Sequence, residues 1–122
     1  MSRDQTVFSE LAVAYGINNN SLNGIQGLNH NSIEKYEREQ IRRKKSSNQK
    51  LKDSENNLNK AGEKIRAWLI NSNNIKDIKL KWSANGAPGT GDTVAQDLII
   101  DNTNTRISIK ENAELFQNPS PA

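Results

Sequence analysis

A chain of 122 residues with 33% hydrophobic side chains and a mean hydropathy of −0.87 has room for one modest domain and little material for a large dry core. It holds no cysteine and a single histidine, His30, which excludes a disulfide scaffold, thiol catalysis and a histidine- or cysteine-rich metal site. No apolar run approaches the roughly 20 residues that span a bilayer, and MSRDQTVFSE lacks a secretory core, so a cytoplasmic protein without membrane contact is expected.

The charge is uneven. Seventeen basic and fourteen acidic side chains give +3, and the excess lies wholly in residues 1–60, which hold ten basic and seven acidic groups. Arg42, Arg43, Lys44, Lys45, Lys50 and Lys52 follow one another with no acid between them. Such a run concentrates positive potential and suits a phosphate backbone, although a solvated helix face carries the same pattern.

In chain order, Val7, Phe8, Leu11, Ala12 and Tyr15 recur at helical spacing over residues 4–15, with Gly16 as an expected stop. Residues 9–28, SELAVAYGINNNSLNGIQGL, have the glycine and apolar spacing of a helix-turn-helix, in which Asn19, Asn20, Ser21, Asn23 and Gln26 would open a recognition helix. The other reading is one helix followed by an Asn-rich loop, because asparagine competes for backbone hydrogen bonds and favours turns. Asn31 and Glu34 have capping-box spacing and predict a charged surface helix to about residue 45, with a thin apolar face of Ile33, Tyr36 and Ile41. Residues 46–50 read as a linker, which divides a basic helical region, 1–48, from a core region, 49–122.

Leu51, Leu58, Ala61, Ile65, Trp68 and Leu69 then share one face of a helix predicted over 51–71. Ile78, Leu80 and Trp82 alternate with Lys79 and Lys81 as a half-buried strand, and Trp68 and Trp82 are both expected to pack. Residues 83–91 are loop by composition, and their glycines lack the Gly-Lys-Ser/Thr of a phosphate-binding loop. Residues 94–100 and 106–110 read as two further strands around a turn at 101–104, with a short helix expected over 111–117. The predicted class is α+β, a helical arm followed by a helix and a small three-stranded mixed or antiparallel sheet.

The order helix, strand, strand, strand sets a carboxylate and an ammonium on adjacent strands: Asp97 in the second, Lys110 in the third, and Ser108 two residues before the lysine. An acid there can hold a hard divalent cation while the lysine orients water; an ordinary cross-strand ion pair is the structural alternative. The stretch GDTVAQDLIIDNTNTRISIK, residues 91–110, resembles the active-site hairpin of the PD-(D/E)XK nuclease superfamily, and of type II restriction endonucleases in particular. The resemblance implies that Asp97 is the metal-binding aspartate and Lys110 the catalytic lysine. Ser108 stands where the usual pattern has Asp or Glu, so a helix would supply the missing acid, with Glu63 the first candidate and Glu111 and Glu114 its rivals, while Asp92, at the mouth of the strand, would be a further metal-side acid. It further implies Mg²⁺ or Mn²⁺ as cofactor and double-stranded DNA as substrate, whose phosphates the basic run from Arg42 to Lys52 would contact on the strength of its charge. The likeness spans about residues 51–118. Because the family core continues past the lysine strand, an incomplete endonuclease is expected, active as a homodimer or with a complementing chain. The alternative is a non-enzymatic DNA-binding protein using the helix-turn-helix-like N-terminus.

Overall fold

The first helix, α1, runs from Asp4 to Ile17 and is buried on nearly every side: ten of its fourteen residues are inside. Val7, Phe8, Leu11, Ala12, Val13, Ala14 and Ile17 leave it no solvated stripe, so it can exist only as the centre of something larger. Burial of each large apolar side chain among these contributes roughly 1.5–3 kcal/mol. The computed structural model describes residues 4–72, 74–82, 98–100, 103, 105–107 and 109.

Gly16 is not the stop that the sequence suggests. The helix continues through it, and the missing side chain serves a close crossing with the third helix. A Cβ on Gly16 would lie 2.1 Å from the Asn59 carbonyl oxygen, and one on Gly62 would lie 2.1 Å from that of Val13. Termination falls instead to Asn19 and Asn20, both in the left-handed region at φ 59° and 64°, which asparagine tolerates better than other residues with a side chain. Asn18 braces the turn by donating from Nδ2 to the carbonyls of Ser21 and Asn23, each at 2.8 Å.

No helix forms between residues 18 and 29. The recognition helix expected from Asn19, Asn20, Ser21, Asn23 and Gln26 is therefore absent, and with it the helix-turn-helix. The segment is instead a strap along the sheet edge. The Gln26 amide donates to the Leu80 carbonyl at 3.0 Å, and the Trp82 amide donates to the Gln26 carbonyl at 2.8 Å. Gly27, at φ +91°, follows because any Cβ would meet the Trp82 carbonyl oxygen at 2.3 Å.

Helix α2 spans His30–Lys44. Its capping box lies two residues before the predicted one and uses serine in place of glutamate: Asn29 Oδ1 accepts from the Ser32 amide at 2.8 Å, and Ser32 Oγ accepts from the Asn29 amide at 2.9 Å. His30 is exposed and lies 2.9 Å from Glu34. Helix α3, Gln49–Ser72, opens on Asn48, whose Oδ1 accepts from the Lys50 amide at 2.9 Å. It buries Leu51, Ser54, Gly62 and Leu69, whereas Trp68, expected to pack, is 52% exposed.

Strands β1 (Leu80–Trp82), β2 (Leu98–Ile100) and β3 (Thr105–Ile107) form an antiparallel sheet in that order. Leu80 pairs with Ile100 and Trp82 with Leu98; Leu98 also pairs with Ile107. The predicted α+β class holds, with the sheet antiparallel. One apolar cluster joins α1, Tyr36 of α2, Leu69 of α3 and the strand residues Leu80, Trp82, Leu98 and Ile100. That cluster draws on residues from both sides of residue 48. Among the described residues no helix is long and apolar enough to cross a membrane.

Candidate functional site

Of the hairpin residues singled out by their pattern, Asp97, Ser108 and Lys110 lie outside the described residues, as do Asp92, Glu111 and Glu114. Their immediate sequence neighbours are described. Leu98, which follows Asp97, pairs directly with Ile107, which precedes Ser108. Ile109, between Ser108 and Lys110, is partly buried against the core. The strands β2 and β3, which adjoin the motif residues in sequence, are thus antiparallel neighbours.

Glu63 sits on α3 with its side chain exposed, and its amide nitrogen lies 2.9 Å from where a Cβ on Gly16 would fall. That places it at the α1–α3 crossing. Among the described residues no hydrogen bond ties it to the hairpin. Nor do three His, Asp or Glu side chains of that set come together as a metal-binding group.

Another carboxylate, which sequence reasoning passed over, is buried. Glu10, on α1, is 4% exposed, and its Oε1 accepts a hydrogen bond of 2.6 Å from the indole Nε1 of Trp82. Trp82 ends β1 and is the register partner of Leu98, where β2 begins. The signal was legible: Glu10 is a lone acid inside the apolar run from Val7 to Ala14.

The basic stretch divides. Lys44, Lys45, Lys50 and Lys52 are exposed around the α2–α3 turn. Arg43, expected to contact phosphate, is 2% exposed and turned inward. Its Nε donates to Glu39 at 2.7 Å, its Nη1 donates to Ser54 Oγ at 3.0 Å, and its guanidinium lies 4.2 Å from the Phe8 ring centroid. The reason is register: Ser32, Tyr36, Glu39 and Arg43 form the buried face of α2 at helical spacing, and that face is polar. Arg42 is half-exposed and donates twice to Glu39, at 2.7 and 2.6 Å.

Burial pushes the Glu39 carboxyl up, but the hydrogen bonds from Arg42 and Arg43 outweigh it and hold the group below the ordinary carboxylate value. Tyr36 stacks on Phe8 at 5.2 Å and donates to Glu55 at 2.5 Å. Burial, followed by that contact with Glu55, raises the phenol well above its usual range. Both groups hold fixed charge states at neutral pH and act as struts for α2.

No protein-family model, curated protein or solved structure matches this chain.

Proposed function

We propose that the chain carries the catalytic hairpin of a Mg²⁺- or Mn²⁺-dependent endodeoxyribonuclease of restriction type. The observation that carries the reading is the antiparallel pairing of Leu98 with Ile107, the sequence neighbours of Asp97 and Ser108, in a sheet preceded by the long helix α3. A hard, oxygen-seeking cation fits the donor chemistry of a chain with no cysteine and one histidine. The Asp97 carboxylate would hold it, together with a helix-borne acid that the sequence resemblance assigns to Glu63. A divalent cation in that place supplies Lewis-acid stabilisation of the phosphate charge and lowers the pKa of a bound water.

Lys110 would orient the attacking water, with Ser108 beside it. The water oxygen forms a bond to phosphorus, the bond from phosphorus to the 3′ oxygen breaks, and the products are a 3′-hydroxyl and a 5′-phosphate. Supercoiled-plasmid cleavage with and without Mg²⁺ tests the reading. Metal-dependent nicking is expected, and Asp97→Ala or Lys110→Ala should slow it at least about 100-fold while DNA binding persists. Metal-independent binding with no cutting, unchanged in Lys110→Ala, would sink it.

The exposed lysines have their own signature. Replacing Lys44, Lys45, Lys50 and Lys52 by alanine together should weaken binding to any duplex sequence equally. The slope of log affinity against log salt should fall by up to about 3.6, since each of four phosphate contacts contributes close to 0.9. Arg43 is left out of the set because its removal attacks the fold. A slope equal to that of the parent would show that these lysines touch no phosphate.

A further inference from the structure

Helix α3 leaves a large aromatic ring in solvent: Trp68 is 52% exposed. One exposed apolar side chain needs no explanation by itself; the setting distinguishes this one. Lys60, Lys64 and Trp68 follow one another at four-residue steps, each about 6 Å further along the helix axis, and all three are exposed. Asn57 and Asn71, at the two ends of the row, are exposed as well. Among the described residues neither lysine makes a hydrogen bond or an ion pair, although Glu63 stands three residues after one and next to the other. Asp53, one step before Asn57, accepts from Gln49 Nε2 at 3.0 Å. The row is thus two unengaged cations and an open indole in a polar surround.

That surround selects the partner. An apolar protein surface seated here would bury ammonium and amide groups along with the ring, at a cost. A polyanion that carries flat apolar plates satisfies both kinds of group. In a duplex the base faces stack on one another and only their edges reach the grooves. In a single strand the faces are free to stack on an aromatic side chain while lysines hold the backbone. We infer that the Lys60–Lys64–Trp68 row of α3 binds single-stranded nucleic acid, with the lysines on its phosphates and one base stacked on the Trp68 indole. The inference does not depend on the nuclease reading, because the row shares no residue with the hairpin motif or with the lysines of the α2–α3 turn.

Trp68 reports its own contact, since Trp82 is buried with its indole N–H on Glu10. A dT oligonucleotide of about 12 nucleotides, titrated into the whole chain without divalent metal so that no cleavage intervenes, should quench the exposed indole saturably. The duplex of the same length should leave it unquenched. With a labelled oligonucleotide followed by anisotropy, Trp68→Ala should bind about tenfold more weakly. Trp68→Phe should keep most of the affinity, and Trp68→Leu, apolar but without a flat ring, should not. Replacing Lys60 and Lys64 together by glutamine should lower the salt slope by about 1.4, since each phosphate contact on a single strand contributes close to 0.7. All these positions are on the surface, so the variants should melt with the parent.

No quenching in the parent, parental affinity in Trp68→Ala, or an unchanged salt slope in the double lysine variant would each overturn the assignment. Trp68→Leu binding as tightly as Trp68→Phe would reduce the contact to plain apolar burial, and quenching by the duplex would give the face to paired DNA. Either outcome sinks the single-strand site. Emission that shifts to the blue with protein concentration alone would seat a second copy of the chain on Trp68 and sink it equally.

Discussion

Arg43→Ala should lower the stability of the chain by about 3 kcal/mol, because removal of one partner strands a buried charge. The Glu39 side chain is 3% exposed and would retain only Arg42, which is itself half in solvent. The same change removes the cation from the Phe8 face and the donor from Ser54. For a chain of this size the melting temperature should fall by about 10 °C or more, read by circular dichroism. Replacing the pair together, Glu39→Leu with Arg43→Leu, should recover much of the loss, since no uncompensated ion remains. A single variant melting within about 2 °C of the parent would refute the strut.

The pair also sets the acid limb. A carboxyl held low in the folded state binds fewer protons folded than unfolded, so its contribution is present above the ordinary value of 4.5 and is lost as pH falls through the lowered native value. The parent should therefore lose stability with acid below about 4.5. Arg43→Ala should show a shallower fall, because its Glu39 starts from a weaker native advantage.

Gly62→Ala should be the second large loss, about 2–4 kcal/mol net, and Gly16→Ala should match it. On an isolated helix the exchange would gain up to ~1 kcal/mol of propensity. Here the new methyl would sit 2.1 Å from the Val13 carbonyl oxygen and 2.9 Å from the Ile17 amide nitrogen, both backbone atoms that no rotamer change can move. The two helices must separate, and every apolar contact along α1 loosens with them. Denaturant melts would measure it, and a variant as stable as the parent would mean that the crossing is wider than the geometry states.

Much of this fold was legible because its signals are local. The apolar period of α1, the alternation of Leu80 and Trp82 with Lys81, and the helical period over 51–71 each depend on residues within a turn or a strand of one another. The errors also had local form. Gly16 carries the mark of a helix stop, and only a second glycine on a distant helix turns it into a contact. Asn31 and Glu34 match a capping box, yet Asn29 and Ser32 match it nearly as well and the helix begins there. Trp68 has the right period for the buried face of α3 and sits just off its edge.

For the site, the hairpin was read from residue pattern, and Glu63 was chosen as its partner by order along the chain. Glu10 looks like an interruption of an apolar helix until Trp82, 72 positions away, supplies a donor. Arg43 was counted with its basic neighbours for the same reason. By itself the sequence determined the element order, the α+β class and the chemistry available: oxygen donors, lysines and no thiols. Only the tertiary structure decided which polar groups go inside. Periodicity reports which residues share a face, whereas the fate of a charge depends on what stands opposite it, and those partners come from distant parts of the chain.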